Sequence, residues 1–169
     1  MAPSYELYLI RHGLAEERGE AWPDDRKRPL TVRGVSRLQR SAHALATLGV
    51  TFDLVLTSSL VRARQTAEAI ASECNPRPRV VNADSLAPGG TCQAVLADLA
   101  RHAARKRIAL VGHEPGIGEL ASLLIGAQHA IEFKKGAICR IDVDALPPEA
   151  PGSLRWLLTP KLLRGLRRE

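Results

Sequence analysis

A chain of 169 residues, 45% hydrophobic and 25% charged, is sized for one globular domain that buries its own core. It contains no run of about 18 apolar residues, which excludes a membrane-spanning helix. The opening Met1-Ala2-Pro3-Ser4-Tyr5-Glu6 lacks the charged and apolar regions of a secretory signal, so the cytoplasm is the expected location. A net charge of +6 points towards acidic partners, but 4% aromatic residues offer few stacking platforms for nucleic acid.

Leu7-Tyr8-Leu9-Ile10 reads as a buried strand that runs straight into Arg11-His12-Gly13. Ligands of open α/β sheets sit beyond the carboxyl ends of the strands, so Arg11 and His12 are placed at the mouth of a cleft. A neutral imidazole is a nucleophile near pH 7, and a guanidinium fork matches two phosphoryl oxygens. Gly13 permits a sharp turn or a close approach to a ligand. Residues 14–30 read as an irregular excursion of mixed charge, with Trp22-Pro23 and Arg28-Pro29 as breakers. A loop of that length serves as a lid or binding segment, with Trp22 either covering the cleft or, the preferred reading, packing the loop down.

Thr31 is placed as the N-cap of a helix to about Leu48, with Val35, Leu38, Ala42 and Leu45 on its inner face and Gly49 at its end. Phe52–Thr57 reads as a second buried strand. It passes through Ser58-Ser59 into a helix to about Glu73, which puts Arg62 in the first turn at the sheet edge that His12 occupies. Arg64, two residues on, points elsewhere. A short strand around Val80-Val81 follows, then the loop Leu86-Ala87-Pro88-Gly89-Gly90, then a helix capped by Thr91 and running to about Ala104. Arg107–Gly112 is a third buried strand. It ends in His113-Glu114-Pro115-Gly116 and a helix to about Ile125, repeating the arrangement at His12. The last third changes character: 137–143 and 154–158 read as an antiparallel edge hairpin, and a short helix near Lys161–Leu166 closes the chain. The basic tail, Lys161, Arg164, Arg167 and Arg168, reads as a solvated helix end. Cys74, Cys92 and Cys139 are odd in number and lack C-x-x-C spacing, so they read as reduced thiols, with no metal and no cofactor implied.

Parallel topology would therefore gather Arg11, His12, Arg62 and His113 at one edge. The motifs Arg11-His12-Gly13, Ser58-x-x-x-Arg62-Ala63-x-Gln65-Thr66 and Gly112-His113 resemble those of the histidine phosphatase superfamily. Pro29-Leu30-Thr31-x-x-Gly34, Leu86-x-Pro88-Gly89, Gly112-His113-x-Pro115 and Trp156-x-Leu158-x-Pro160 are similar to the small SixA-type phosphohistidine phosphatases. The resemblance implies a three-layer α/β fold of phosphoglycerate mutase type, with a mostly parallel sheet, helices on both faces and an antiparallel edge. It implies that His12 attacks phosphorus, that Arg11 and Arg62 clamp the oxygens, and that His113 donates to them. Gly13, Ser58 and Glu16 are the expected substrate-contacting residues.

One departure bears on the substrate. Larger members of the superfamily place a carboxylic acid after the leucine that corresponds to Leu86, whereas this chain has Ala87-Pro88-Gly89-Gly90. An alkoxide needs a proton to leave; an imidazole leaves more easily. A phosphohistidine on a phosphorelay or phosphocarrier protein is therefore the first reading. A small phosphoester is the second, with Glu16, Asp24, Asp25 or Glu114 as substitute acids. A non-catalytic phosphate-binding module is the third.

Overall fold

The computed structural model describes residues 5–166, so Met1–Ser4 and the tail residues Arg167 and Arg168 lie outside the described residues. Six strands of the described residues form one sheet: β1 (Tyr5–Arg11), β2 (Leu54–Thr57), β3 (Arg79–Asn82), β4 (Arg107–Gly112), β5 (Ile138–Val143) and β6 (Ser153–Leu158). Their spatial order is β3-β2-β4-β1-β5-β6. The first four strands in that order run parallel, and β5 and β6 close the edge antiparallel. Parallel β1, β2 and β4 end on one edge, and each is followed within a few residues by a candidate site residue.

Among the described residues, five α-helices cover the sheet: α1 (Val32–Thr47), α2 (Val61–Ser72), α3 (Cys92–Ala100), α4 (Gly116–Ile125) and α5 (Pro160–Gly165). Alternation along β1 divides the core in two. Leu7 and Leu9 join Val95 and Leu99 of α3 and Ile117, Leu120 and Leu124 of α4. Tyr8 and Ile10 join Leu45 of α1, Ala67 and Ile70 of α2 and Leu163 of α5. Each fully buried aliphatic or aromatic side chain contributes about 1.5–3 kcal/mol, so both faces of the central strands are stabilised and the sheet holds three layers. This is the α/β architecture expected from the sequence.

The caps are where residue type puts them. Thr31 accepts from Gly34 N–H at 2.9 Å and Thr91 from Ala94 N–H at 3.2 Å. Gly34 is required for another reason: a Cβ there would lie 2.1 Å from the Leu14 carbonyl oxygen, so α1 can lie against the loop after β1 only without a side chain. The third helix stops at Ala100, short of the expected Ala104. From there His102 N–H bonds Leu99 O and Arg105 N–H bonds His102 O, a tightened turn that returns the chain to β4. Trp22 is half-buried within a small Gly19–Trp22 bridge and packs in neither of the two main clusters.

Candidate active site

The parallel strands deliver four groups to one place. His12 and His113 stand with ring centroids 5.0 Å apart at 55°. The backbone carries each of them one step past its strand: His12 N–H donates to Gly112 O at 3.0 Å, beside His113. His12, Arg62 and His113 are 7%, 2% and 6% exposed, so the reactive groups are buried at this edge of the sheet. The charges of Arg11 and Arg62 bear on both imidazoles.

His12 Nδ1 lies 2.8 Å from the carbonyl oxygen of Gly13. Donation of Nδ1–H to that oxygen fixes the tautomer and leaves Nε2 with its lone pair. Burial, above all, pushes the His12 pKa down to about 4; the bond to Gly13 opposes this, and the charges of Arg62, Arg11 and Arg28 add to it. His113 is pushed down to about 3, by burial first and then by His12, Arg62 and Arg11. Both rings are neutral at pH 7.

Those shifts set a stability window. Near the ordinary histidine pKa of about 6.5 the unfolded chain takes up protons that the folded protein refuses. Stability is therefore expected to fall as the pH drops from about 6.5 towards 4, by on the order of 3 kcal/mol for His12 alone. Urea midpoints of wild type and His12→Asn at pH 7 and pH 4.5 measure this, because the substitution should remove part of the pH dependence. Equal pH dependence in the two proteins would refute the depressed pKa.

Gly13 acts differently from the expectation. Its φ is not positive, and a Cβ there would meet Leu38 Cδ1 of α1 at 2.6 Å. Its role is to let α1 pack close, while its N–H donates to Thr66 Oγ1 at 3.1 Å and its carbonyl oxygen receives His12. Ser58 also differs. Its hydroxyl is 2.9 Å from His113 Nε2 and accepts from Leu60 N–H at 3.2 Å, so it holds His113 rather than standing free for a ligand. Its O–H can donate to Nε2, which places the ring proton on Nδ1; that nitrogen is buried and without a partner among the described residues. Glu16 joins the region only through its main chain: its carbonyl oxygen accepts from Arg28 Nη1 at 2.6 Å. Among the described residues no hydrogen bond or ion pair brings its carboxylate to the imidazoles.

Arg11 donates Nη1–H to Phe133 O at 2.6 Å, and Phe133 N–H in turn donates to Glu114 Oε1 at 3.1 Å. Glu114 therefore anchors the segment that orients Arg11. Arg62 donates to Asp25 O at 2.8 Å and Asp25 Oδ2 at 3.0 Å. Asp25 is also bound by Arg28 Nε at 2.8 Å and reached by Arg18 at 3.3 Å. Partial burial acts to raise the Asp25 pKa, but hydrogen bonds and charge from Arg28 and Arg62 outweigh it and hold the carboxyl below its usual range. Asp25 is thus an ionised latch between the loop and Arg62, not a proton donor at neutral pH. Asp24 spends its carboxylate capping the one-turn 3-10 helix at Asp25–Lys27.

Arg28 is the residue that sequence reasoning missed; Asp25 was named only as a substitute acid, and its place is beside Arg62. Arg28 is 8% exposed and weighs on His12. The available signal was its position directly before Pro29, which holds its backbone extended. The motif residues Gln65 and Thr66 have their use here too: Gln65 Oε1 accepts from Leu30 N–H at 2.8 Å, and Thr66 ties Gly13 to Arg62 O. Arg64 points away, to Asn82 and Glu68.

A family model described as the histidine phosphatase superfamily (branch 1) matches residues 7–86. An uncharacterized protein of Picosynechococcus sp. is 40% identical over 165 residues, covering 94% of this chain and 98% of that one. A 2,3-bisphosphoglycerate-dependent phosphoglycerate mutase of Rhizobium etli is 39% identical over 71 residues, which is 41% of this chain but 34% of the mutase. The solved structure of the protein histidine phosphatase SixA complexed with tungstate superposes with a TM-score of 0.82 at 25% identity, over 92% of this chain and 97% of that one.

Proposed function

This chain belongs to the histidine phosphatase superfamily, and we propose that it is a single-domain, metal-independent phosphatase that removes the phosphoryl group from a histidine of a protein. His12 Nε2 attacks phosphorus as the bond from phosphorus to the substrate imidazole breaks. A substrate ring protonated on its other nitrogen departs as neutral imidazole and asks no proton of the enzyme. Arg11 and Arg62 hold the phosphoryl oxygens, and His113, through Nδ1–H, donates to them as charge builds. Water then attacks the phosphoryl-His12, releasing phosphate and restoring the free Nε2. Charge neutralisation falls to guanidinium groups. Among the described residues no cluster of three or more His, Cys, Asp or Glu side chains is arranged to hold a metal.

One observation carries the choice of leaving group. The segment after Leu86 supplies no acid, and the carboxylate nearest the clamp, Asp25, is held ionised. The SixA neighbour is itself named a protein histidine phosphatase, which supports the same reading. Glu114 favours ester hydrolysis as a second reading. Burial raises its pKa, although its bond to Phe133 N–H opposes the shift, and it sits beside His113.

The test is a panel of phosphohistidine peptide, para-nitrophenyl phosphate and sugar phosphates, each with and without a chelator. Faster release from phosphohistidine, undiminished by chelation, is the expected result. Preference for esters, lost in Glu114→Gln, would establish the second reading. Strict dependence on a divalent metal would overturn both, and no turnover on any substrate would leave a phosphate-binding module.

A further inference from the structure

A second hollow, of about 590 Å³, adjoins Arg11 and Gly13 at the same edge of the sheet. Its walls come from α1, from residues 132–136 and from the start of α5. The 132–136 segment is tied to the catalytic strand, since Gly136 N–H lies 3.1 Å from Arg11 O and 3.0 Å from His12 O. The phosphoryl site and the hollow therefore share Arg11.

The hollow is cationic beyond what its own side chains balance. Arg37, Lys134, Lys135, Lys161 and Arg164 line it, against one carboxylate, Glu132, which lies 3.5 Å from Lys134. Among the described residues, Arg37, Lys135, Lys161 and Arg164 form no ion pair. The whole of α1 contains three arginines and no acidic residue.

Two buried polar groups are also left waiting. Ser41, on the wall, is 0% exposed, yet its Oγ has no hydrogen-bond partner among the described residues. Arg164 Nη1 is buried and equally unpartnered. Leaving a buried polar group unsatisfied is costly, so orphans of this kind need an explanation. Burial, and then the charges of Arg37, Arg40 and Arg33, depress the Arg164 pKa, which an arriving negative charge would reverse.

We propose that this hollow is an anion subsite, which takes a second oxyanion of the substrate, phosphate or carboxylate, while Arg11 holds the phosphoryl group next to it. It deepens the phosphatase reading and rests on it for the word substrate. Arg37 and Arg164 supply the charge, and Ser41 and Arg164 Nη1 supply donors that have no other use. A substrate carrying acid close to its phosphoryl group is thereby preferred over a bare monoester.

Inorganic phosphate is the first probe, because its binding needs no catalysis. In an NMR titration of wild type, amide shifts at Ser41 and Lys161 are expected to follow one isotherm and those at Gly13 and Thr66 another. Arg37→Gln and, separately, Arg164→Gln should weaken the first isotherm at least tenfold and leave the second in place. If Ser41 and Lys161 do not move while Gly13 and Thr66 saturate, the subsite does not exist.

The second arm is kinetic. Arg37→Gln should raise KM about tenfold for an acid-bearing substrate and leave para-nitrophenyl phosphate unchanged. A larger effect on a phosphohistidine peptide with flanking aspartates assigns the oxyanion to a protein side chain; a larger effect on a bisphosphate assigns it to a small molecule. Equal effects on all substrates would refute the subsite. Absence of turnover on every substrate would overturn the phosphatase reading, while the titration still decides the hollow.

Discussion

His12→Ala is expected to lower turnover by roughly 10⁴-fold or more and to eliminate an acid-labile phosphoenzyme. The size follows from the geometry. Nδ1 is committed to the Gly13 carbonyl, so Nε2 is the ring's free lone pair, and a pKa near 4 keeps it unprotonated at neutral pH. His113 cannot take over, because its Nε2 is engaged by Ser58. Removing an uncharged ring should leave the arginines in place, so phosphate should still bind. Quench-flow detection of labelled enzyme, read beside a phosphate titration, separates lost chemistry from lost folding. Turnover within tenfold of wild type in the alanine variant would remove His12 as nucleophile.

Arg62→Lys is expected to cost about 10²–10³ in kcat/KM, the usual loss when one preorganised donor to a developing oxyanion is removed. An ammonium retains the charge but not the planar fork. Arg62 is 2% exposed and spends two of its N–H groups on Asp25, so lysine also loosens the latch that holds residues 24–28 against α2. The Asp25 carboxyl should then titrate closer to its ordinary value, since Arg62 is one of the two residues that depress it. An NMR titration of the Asp25 carboxyl, together with kcat/KM, tests both consequences in one protein. Unchanged kinetics with a shifted Asp25 would leave Arg62 a structural residue.

The latch also explains why part of the site was illegible. Residues 14–30 have no period to read, because their conformation is set by partners far along the chain: Gln65 for Leu30 N–H, Arg62 for Asp25, and Arg28 reaching back to the Glu16 carbonyl oxygen. Mixed charges at 16–28 resemble any solvated loop until Asp25 is seen between three guanidinium groups. The partner of Ser58 was hidden for a related reason. The serine's place at a strand end suggests ligand contact, but its hydroxyl is spent on a histidine 55 positions away.

Local chemistry alone determined a good deal. Apolar runs marked β1, β2 and β4, threonines marked the starts of α1 and α3, and the ends of β1 and β4 and the first turn of α2 pointed to Arg11, His12, His113 and Arg62 as candidates. These features are legible because propensity, capping and burial period act over a few neighbouring residues. Only the folded chain decided that Gly13 makes room for Leu38, that Asp25 is an ionised latch, that the charge of Arg28 bears on His12, and that cations of α1 and α5 meet beside Arg11. Those facts depend on which distant side chains arrive at the same few ångströms, and hydrogen bonding and charge at that range are set by tertiary distance rather than by order along the polymer.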